Sequence, residues 1–597
     1  MSSSSVGSIS RSSSSSSMAF CTTTTLRCRD QQPEIQPGGR GRCLDAFIIA
    51  LEQASDGKRW YASTKQLQLA SLQFCTACRS VPIFHLKVES GTPTRLWTGA
   101  GARGTRSAKK LSLSRVPAVR AREVTWEISA SALRNVEGDA LSSVEWFSFG
   151  NDFNGSVERV VWPGRLKGLD LGQKFDRPVE RLSLPASLES LAFGKSFAQP
   201  IDKVVWPPSL QIMLLRSDLK HQVHRMSWPA SLQTLVFSGS VDYPLGQVAW
   251  PASLERLYFF GGVCDQPIDG VRWPASLVDL KFGRGIQQPV RGAAWPESLQ
   301  QLTFEWDFNQ PIEEVRWPAS LRLLSLGIDF NQPIKGVSWP PSLRQLVLGR
   351  SFNRPIGGVS WPPSLRELTL DGDFVHLVGG VAWPPCLQSL TLGDGYNQPV
   401  EGIAWPASVK QMAFGKKFNR PIEAMAWPPS LEEITFARDF NQPIERTSWP
   451  PSLRRLSFGK YFNQPIGRVS WPDRLEELTF SGEVGGTWDD VHVTPEILFF
   501  LQHYLGVGSD FNQPIDRVEW PASLVKLAFG ECFNQPIRGI TWPARLRQLI
   551  FSRDFRPPSE SLEWPASLQR VTVPCRPGES LPSWPGVRVF GVWRNYW

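Results

Sequence analysis

Residues 439–472 decide the fold, because they carry the same pattern twice: DFNQPIERTSWPPSLRRLSFGKYFNQPIGRVSWP. The motif F-N-Q-P-I begins at Phe440 and again at Phe462, and Trp-Pro follows at Trp449 and at Trp471. Each motif therefore returns after 22 residues. A fixed period of this size is typical of a repeat array, in which each unit packs on its neighbours along one axis.

The Trp-Pro pair continues in both directions from this stretch. The usual step is 22 residues, with one step of 23, one of 49, and one vacancy that Leu184-Pro185 fills; the tryptophans are Trp162, Trp206, Trp228, Trp250, Trp273, Trp295, Trp317, Trp339, Trp361, Trp383, Trp405, Trp427, Trp449, Trp471, Trp520, Trp542 and Trp564. We therefore predict about twenty units over residues 124–590. The long step predicts an irregular unit with an insertion at 481–510, and residues 494–501 match the repeat phase as one degraded unit.

One unit reads W-P-x-S-L-x-x-L-x-F-G-x-x-F-N-Q-P-I-x-x-V-x. In residues 317–338, Leu324 and Leu326 alternate around Ser325, which is the period of a strand with one buried side. Pro318 and Pro333 exclude a continuous helix of ordinary length, since proline lacks the N–H and clashes with the preceding turn.

A single unit cannot bury its apolar side chains, whereas stacked units place identical positions over one another. The chain is thus predicted to be mainly β, a parallel β solenoid of about twenty 22-residue leucine-rich-repeat-like coils with little helix. We expect the tryptophans to stack in one corner and the recurrent asparagine to bond backbone groups at the turn. The glycine after the strand is expected to permit a turn that a Cβ would obstruct.

The full unit resembles the FNIP repeat, a 22-residue relative of the leucine-rich repeat. Eight copies of F-N-Q/R-P-I carry the resemblance, beginning at Phe308, Phe330, Phe352, Phe418, Phe440, Phe462, Phe511 and Phe533. The resemblance covers roughly residues 140–575, and Trp stands where that family usually has Leu before Pro. It implies a leucine-rich-repeat-like fold and a role in protein interaction, and no catalytic residue is carried over.

The net charge of +9 belongs to the N-terminal part of the chain. Residues 1–123 hold 18 Lys and Arg against 7 Asp and Glu, which leaves 46 basic and 48 acidic residues for 124–597. The repeated body is therefore close to neutral, and its charge does not support nucleic-acid binding by the whole protein.

Residues 1–123 form a Ser/Arg-rich leader that we expect to be largely disordered. The composition of 1–42 also fits an organelle transit peptide, so the compartment stays open, although nine scattered cysteines fit an intracellular location. Within the leader, LDAFIIALEQA at 44–54 is a candidate amphipathic helix, and 95–122 carry eight Lys and Arg without an acid. No apolar run is long enough to span a membrane.

The sequence contains no pattern that predicts catalysis, a cofactor or a metal. Asp218, His221 and His224 form the one compact cluster of possible metal ligands in the sequence. We interpret them as loop residues of a unit that departs from the repeat consensus. Cys75 and Cys78 form a lone C-x-x-C without a second pair. The chain is therefore predicted not to be an enzyme.

One outward column carries a candidate binding surface. Arg322, Arg344 and Arg366 occupy the position after the first leucine in three successive coils, and Gln388 and Lys410 follow. We take Arg322, Arg344, Arg366 and Lys410 as a candidate partner-binding stripe, since like charges on adjacent strands repel unless neutralised by neighbours such as Glu367 and Glu433 or by an anionic partner.

Three functions are weighed. The first is a non-enzymatic protein–protein interaction scaffold that presents a rigid parallel-sheet face. The second is a carbohydrate-binding or carbohydrate-active solenoid, and the third is a polyanion or nucleic-acid binder acting through 95–122. We predict the first, with an unidentified protein partner and a monomeric chain.

Overall fold

The computed structural model describes residues 144–158, 160–218, 227–480, 509–551, 553–558, 562–575, 584 and 587–593, with two further strands at 85–88 and 123–126. Its strands are β1 His85–Val88, β2 Glu123–Trp126, β3 Trp146–Phe149, β4 Gly168–Asp170, β5 Ser190–Phe193, β6 Ile212–Leu215, β7 Thr234–Phe237, β8 Arg256–Val263, β9 Asp279–Arg284, β10 Gln301–Phe304, β11 Leu323–Leu326, β12 Gln345–Leu348, β13 Glu367–Leu370, β14 Ser389–Leu392, β15 Gln411–Phe414, β16 Glu433–Phe436, β17 Arg455–Ser457, β18 Glu477–Thr479, β19 Lys526–Ala528, β20 Gln548–Ile550, β21 Arg570–Cys575 and β22 Arg588–Trp593. Between β7 and β8, Leu245–Gln247 form a 3₁₀ turn.

Each strand pairs in parallel with the next strand along the chain, from β1 to β22. The register follows the repeat, so that Leu324 faces Leu346 and Leu346 faces Leu368. In the described part of the chain the only helical element is the short 3₁₀ turn. The predicted parallel β solenoid with little helix is confirmed.

The core lies inside the coils and runs the length of the sheet. In the coil 317–338, Leu321, Leu324, Leu326 and Phe330 are 0% exposed and Ile334 is 1% exposed. Identical side chains stack across coils. The ring centroids of Phe330 and Phe352, for example, lie 6.1 Å apart and their ring planes differ by 5°. Such aromatic pairs contribute about 0.5–1.5 kcal/mol beyond the area they bury.

The tryptophans also stack, as the sequence predicted. The ring centroids of Trp339 and Trp361 lie 6.4 Å apart with planes 14° apart. These indoles are mostly half-buried and pack against the continuous core. They form one edge of each coil and are not spread into solvent.

Polar side chains join successive coils. The Asn331 Oδ1 accepts a hydrogen bond from the backbone N–H of Asn353 at 3.0 Å, and Asn309 does the same for Asn331 at 2.9 Å. The Gln332 Nε2 donates to the carbonyl and the Oδ1 of Asn309, each at 3.0 Å. The asparagine therefore satisfies a backbone group, as expected, but the group belongs to the next coil.

The glycine after the strand is required by the approach of two coils. A Cβ on Gly349 would lie 1.4 Å from the carbonyl oxygen of Gly327, and a Cβ on Gly415 would lie 2.1 Å from that of Gly393. Only Gly327 of these four has a positive φ, at 37°. The obstruction that the sequence suggested is thus between neighbouring coils. The backbone φ angles of the other three glycines are ones that any residue can adopt.

The two coils on either side of the long step between Trp471 and Trp520 are neighbours in the sheet. Strand β18 pairs directly with β19, with Thr479 opposite Ala528. The ring centroids of Phe462 and Phe511 lie 6.1 Å apart, the ordinary spacing of that column. The degraded unit expected at 494–501 therefore does not lie between these two coils, and that interpretation was wrong. The stretch itself lies outside the described residues.

Two strands precede the first regular coil. Strand β1, which lies within 1–123, pairs with β2, and β2 pairs with β3, with Val124 opposite Phe147. In the described part of the chain, the sheet therefore begins at His85. The candidate helix at 44–54, the basic stretch at 95–122 and the Cys75 and Cys78 pair lie outside the described residues, so the boundary of the leader stays a prediction.

Candidate partner-binding surface

The strands have one inward and one outward side, and the outward side is the candidate binding surface. In β11, Leu323 and Ser325 point outward and are partly exposed, while Leu324 and Leu326 are buried. Strands β12 to β16 repeat this alternation, with β13 the most exposed at its first residue. Small residues occupy the middle outward position, so the surface is flat and its longest side chains stand at its edge.

The backbone places the three arginines of the candidate stripe in one row. The N–H of Arg344 donates to the carbonyl of Arg322, and the N–H of Arg366 donates to that of Arg344, each at 2.8 Å. The row continues through Gln388 to Lys410 by bonds of 2.7 and 2.8 Å. All five side chains are exposed. The stripe that the sequence placed on successive coils is therefore brought together.

The members of the stripe differ in their electrostatic surroundings. The Lys410 Nζ lies 3.1 Å from a carboxylate oxygen of Glu432, one coil further on. Arg454, in the same column, pairs in the same way with Glu476 at 2.8 Å. Among the residues that the structure describes, Arg322, Arg344 and Arg366 make no ion pair. The column is self-neutralised where its signs alternate and unneutralised over these three coils.

The acids that were expected to neutralise the stripe act elsewhere or not at all. Glu433 pairs with Arg455 at 2.8 Å, on the adjacent column. Glu367 lies one position from Arg366 and is exposed without an ion pair in the described part of the chain. Three guanidinium groups thus face solvent on neighbouring strands, which lie ~4.8 Å apart in a sheet. Such a row raises the local positive potential and attracts anionic groups.

The described residues show no cluster of metal ligands, and two of their ionisable groups with raised pKa values are buried. Within the described ranges, no three His, Cys, Asp or Glu side chains converge as metal ligands do. Burial raises the pKa of the Cys264 thiol to about 12, so this thiol stays protonated at neutral pH. Burial likewise raises the pKa of Tyr396, which stands in the phenylalanine column. His221 and His224 lie outside the described residues.

One outward feature was missed in the sequence. Ala192, Leu214, Val236 and Tyr258 occupy the middle outward position of β5 to β8, where later coils carry mostly Ser and Thr, and with Phe260 they form a second apolar cluster. The signal was present in the same column, which shifts from Leu, Val and Tyr to Thr and Ser between β8 and β11.

No helix of the described residues is both long and apolar enough to cross a bilayer.

Comparison with known proteins then identifies the repeat. The family model described as FNIP Repeat matches residues 153–196, 175–215, 330–373, 396–439, 440–483 and 511–554. A search of the curated proteins finds no match to this sequence.

Solved structures of leucine-rich-repeat proteins are similar to this chain. CroV588, described as a circular leucine-rich-repeat protein, is 26% identical with a TM-score of 0.55, over 79% of this chain and 72% of that one. An internalin of Listeria monocytogenes is 13% identical with a TM-score of 0.36, over 52% and 90%. A leucine-rich-repeat protein of Leptospira interrogans is 17% identical with a TM-score of 0.35, over 59% and 89%. The chain therefore contains FNIP repeats over the matched ranges, and its parallel solenoid is similar to that of a leucine-rich-repeat protein.

Proposed function

We propose that this protein is a non-enzymatic scaffold that binds an acidic surface of a partner protein on the row Arg322, Arg344 and Arg366. The observation that carries the proposal is the contrast within one column: Lys410 and Arg454 are paired with glutamates of the next coil, whereas these three arginines are exposed and unpaired among the described residues. Positive groups that the protein does not neutralise itself are available to a partner's carboxylates.

The rigidity of the surface supports the same proposal. Each arginine is fixed at its backbone to the coils on both sides, through the hydrogen bonds that join Arg322, Arg344 and Arg366 in series. A partner therefore meets three cations whose main chains are already ordered, so binding orders only the side chains. The leucine-rich-repeat fold is commonly used for protein interaction, and that likeness is an argument by analogy.

The aromatic residues argue for this function over carbohydrate binding. The repeated phenylalanines and tryptophans stack inside or along the edge of the coils, and the outward positions beside the arginines are Leu323, Gln345 and Glu367. A sugar-binding sheet needs exposed aromatic faces along its surface, and these three positions do not supply them.

The test uses the full-length protein and a fluorescently labelled glutamate-rich peptide, followed by anisotropy. Changing Arg322, Arg344 and Arg366 together to Glu is expected to weaken binding on the order of ten- to a hundredfold, because each exposed pair contributes ~0.2–1 kcal/mol and each reversal adds repulsion. Binding to the unchanged protein is expected to fall as salt is raised.

A matched control carries the same change in charge on the other wall of the coils. Arg316, Arg446 and Arg468 are exposed just before the tryptophans, and changing all three to Glu should leave the peptide affinity within about twofold. Equal losses in both variants would show a response to net charge and would contradict the proposal. Unchanged binding in the Arg322, Arg344 and Arg366 variant, with loss when basic residues of 95–122 are reversed, would assign anion binding to the leader.

A further inference from the structure

Two aliphatic side chains stand on the outward face beside the arginine row. Leu323 occupies the first outward position of β11, and Val347 occupies the middle outward position of β12. Both are partly exposed, and neither belongs to the interior core or to the outward cluster at Val236. They therefore remain accessible to a partner, in contrast to Val236, which is 0% exposed.

The repeat does not require an aliphatic residue at either position. Strands β10 to β18 are all described, and their other first and middle outward positions carry only Gln, Glu, Arg, Ser, Thr or Ala. In the register of the sheet, Gln345 lies opposite Leu323 and Thr369 lies opposite Val347. Since these neighbouring coils form the same strand with polar residues, the fold alone does not explain why Leu323 and Val347 are aliphatic.

Both side chains lie close to the arginine row. Leu323 follows Arg322 directly, and its register partner Gln345 follows Arg344. Val347 is displaced from Leu323 by one strand, ~4.8 Å, and by two residues along the strand, ~6.7 Å, so their backbones lie roughly 8 Å apart. Apolar groups are in contact at about 4 Å, so one aliphatic side chain of a partner can touch both.

The outward face further along the sheet is already paired. Ion pairs join successive strands from β15 to β19 in a staggered series, formed by Lys410 with Glu432, Glu433 with Arg455, Arg454 with Glu476 and Glu477 with Lys526. No residue larger than alanine is aliphatic in the first and middle outward positions of β13 to β18. Among the described strands β10 to β18, unpaired outward cations and exposed aliphatic side chains therefore coincide only on β11 to β13.

We infer that Leu323 and Val347 form the apolar centre of the partner-binding surface and receive an aliphatic side chain that the partner carries within an acidic segment. The inference rests on the proposed function, since the three arginines are the groups that hold that segment. Protein interfaces commonly combine an apolar centre, which loses its water on binding, with a charged rim. The arginines therefore select acidic segments in general, and the two aliphatic side chains select among them those that carry a leucine-like residue.

The test uses the full-length protein, fluorescence anisotropy and two labelled glutamate-rich peptides of equal length and charge, one with two central leucines and the other with two central serines. We expect the leucine peptide to bind the unchanged protein about tenfold more tightly, because burial of apolar area adds to the ion pairs. Raising the salt concentration should weaken both peptides and keep the ratio near tenfold, since salt screens the charges and not the apolar contact. Equal affinities of the two peptides would overturn the inference.

The assigned residues are tested by Leu323→Gln with Val347→Thr, which introduces the residue types that the next coils carry at Gln345 and Thr369. This double variant should bind the leucine peptide about tenfold more weakly and the serine peptide within about twofold of the unchanged protein. The matched control is Ile550→Thr, a partly exposed residue in the middle outward position of β20, which should leave both affinities unchanged. A preference for leucine that persists in the double variant, or an equal loss in the control, would contradict the assignment.

The response of the arginines separates this inference from the proposed function. Changing Arg322, Arg344 and Arg366 to Glu should weaken the binding of both peptides. If it does so while the double variant keeps the full preference for leucine, the proposed function stands and the apolar centre is wrong. If the arginine variant binds both peptides as tightly as the unchanged protein, or if the unchanged protein binds neither, the proposed function is contradicted and the inference falls with it.

Discussion

The serine of W-P-x-S-L joins each coil to the one before it. The Ser364 hydroxyl donates to the carbonyl of Leu343 at 2.7 Å, and the same bond is made by Ser320 to Leu299 at 2.6 Å and by Ser523 to Leu475 at 2.7 Å across the long step. A part-buried carbonyl that precedes the strand is thereby satisfied. The repetition of this serine is explained by a bond that spans two coils and is not visible within one unit.

We predict that Ser364→Ala lowers the free energy of unfolding by about 1 kcal/mol, because a part-buried carbonyl loses its donor. The measurement is the urea midpoint of the full-length protein, followed by tryptophan fluorescence. The matched control is Ser360→Ala at the end of the preceding coil, whose side chain is exposed and which should change the midpoint very little. Equal effects of the two substitutions would contradict the assigned role of the serine.

At the scale of the element, the strand pair β18 and β19 shows how the array tolerates interruption. The 22-residue register is kept in space while the chain inserts residues 481–508 between the two coils. Asn463 accepts from the N–H of Asn512 at 3.0 Å, the same bond that joins ordinary neighbours. Because each coil contacts only the coils beside it, an insertion that leaves and returns at the same point costs mainly loop-closure entropy.

This pairing predicts a specific cross-link. Thr479→Cys with Ala528→Cys should form a disulfide under mild oxidation, because register partners on adjacent strands lie ~4.8 Å apart, within the range that a disulfide bridges. The native cysteines, including nearby Cys532, are first replaced. The product is detected by mass spectrometry after proteolysis.

The control pair is Thr479→Cys with Ile550→Cys, which lies two strands away at roughly twice that distance. It should remain reduced under the same conditions. Failure of the first pair to cross-link under these conditions would mean that another coil, such as the one the sequence suggested at 494–501, separates β18 from β19.

At the scale of the whole molecule, the spacing between coils differs from one side to the other. Parallel strands lie ~4.8 Å apart. The strand-end rings of Phe414 and Phe436 are 5.3 Å apart, the turn rings of Phe330 and Phe352 are 6.1 Å apart, and tryptophan neighbours are 5.7 Å (Trp383 and Trp405) to 6.4 Å (Trp339 and Trp361) apart. Since these rings repeat with nearly parallel planes, the distances measure the step per coil. The coils therefore fan outward from the sheet, which lines the concave side.

The sequence predicted what the period alone determines. The parallel register, the inward columns of Leu324 and Phe330 and the tryptophan stack all follow from placing equal positions over one another. It did not show that the row at Arg344 makes no ion pair among the described residues, because ion pairing depends on side-chain direction as well as on column. It also missed the outward apolar cluster at Val236, because one unit does not show how the outward side chains of successive coils pack together.

The most direct test of the central claim, that interchangeable 22-residue coils stack into one sheet, is removal of one whole coil. Deleting residues 339–360 joins Ser338 to Trp361 in phase, whereas deleting 339–349 removes half a coil. The measurement is the near-ultraviolet circular dichroism of the stacked tryptophans during urea unfolding. We predict that the whole-coil deletion keeps the native signal and a cooperative transition and that the half-coil deletion loses both. Equal damage by the two deletions, or equal tolerance of them, would contradict the account.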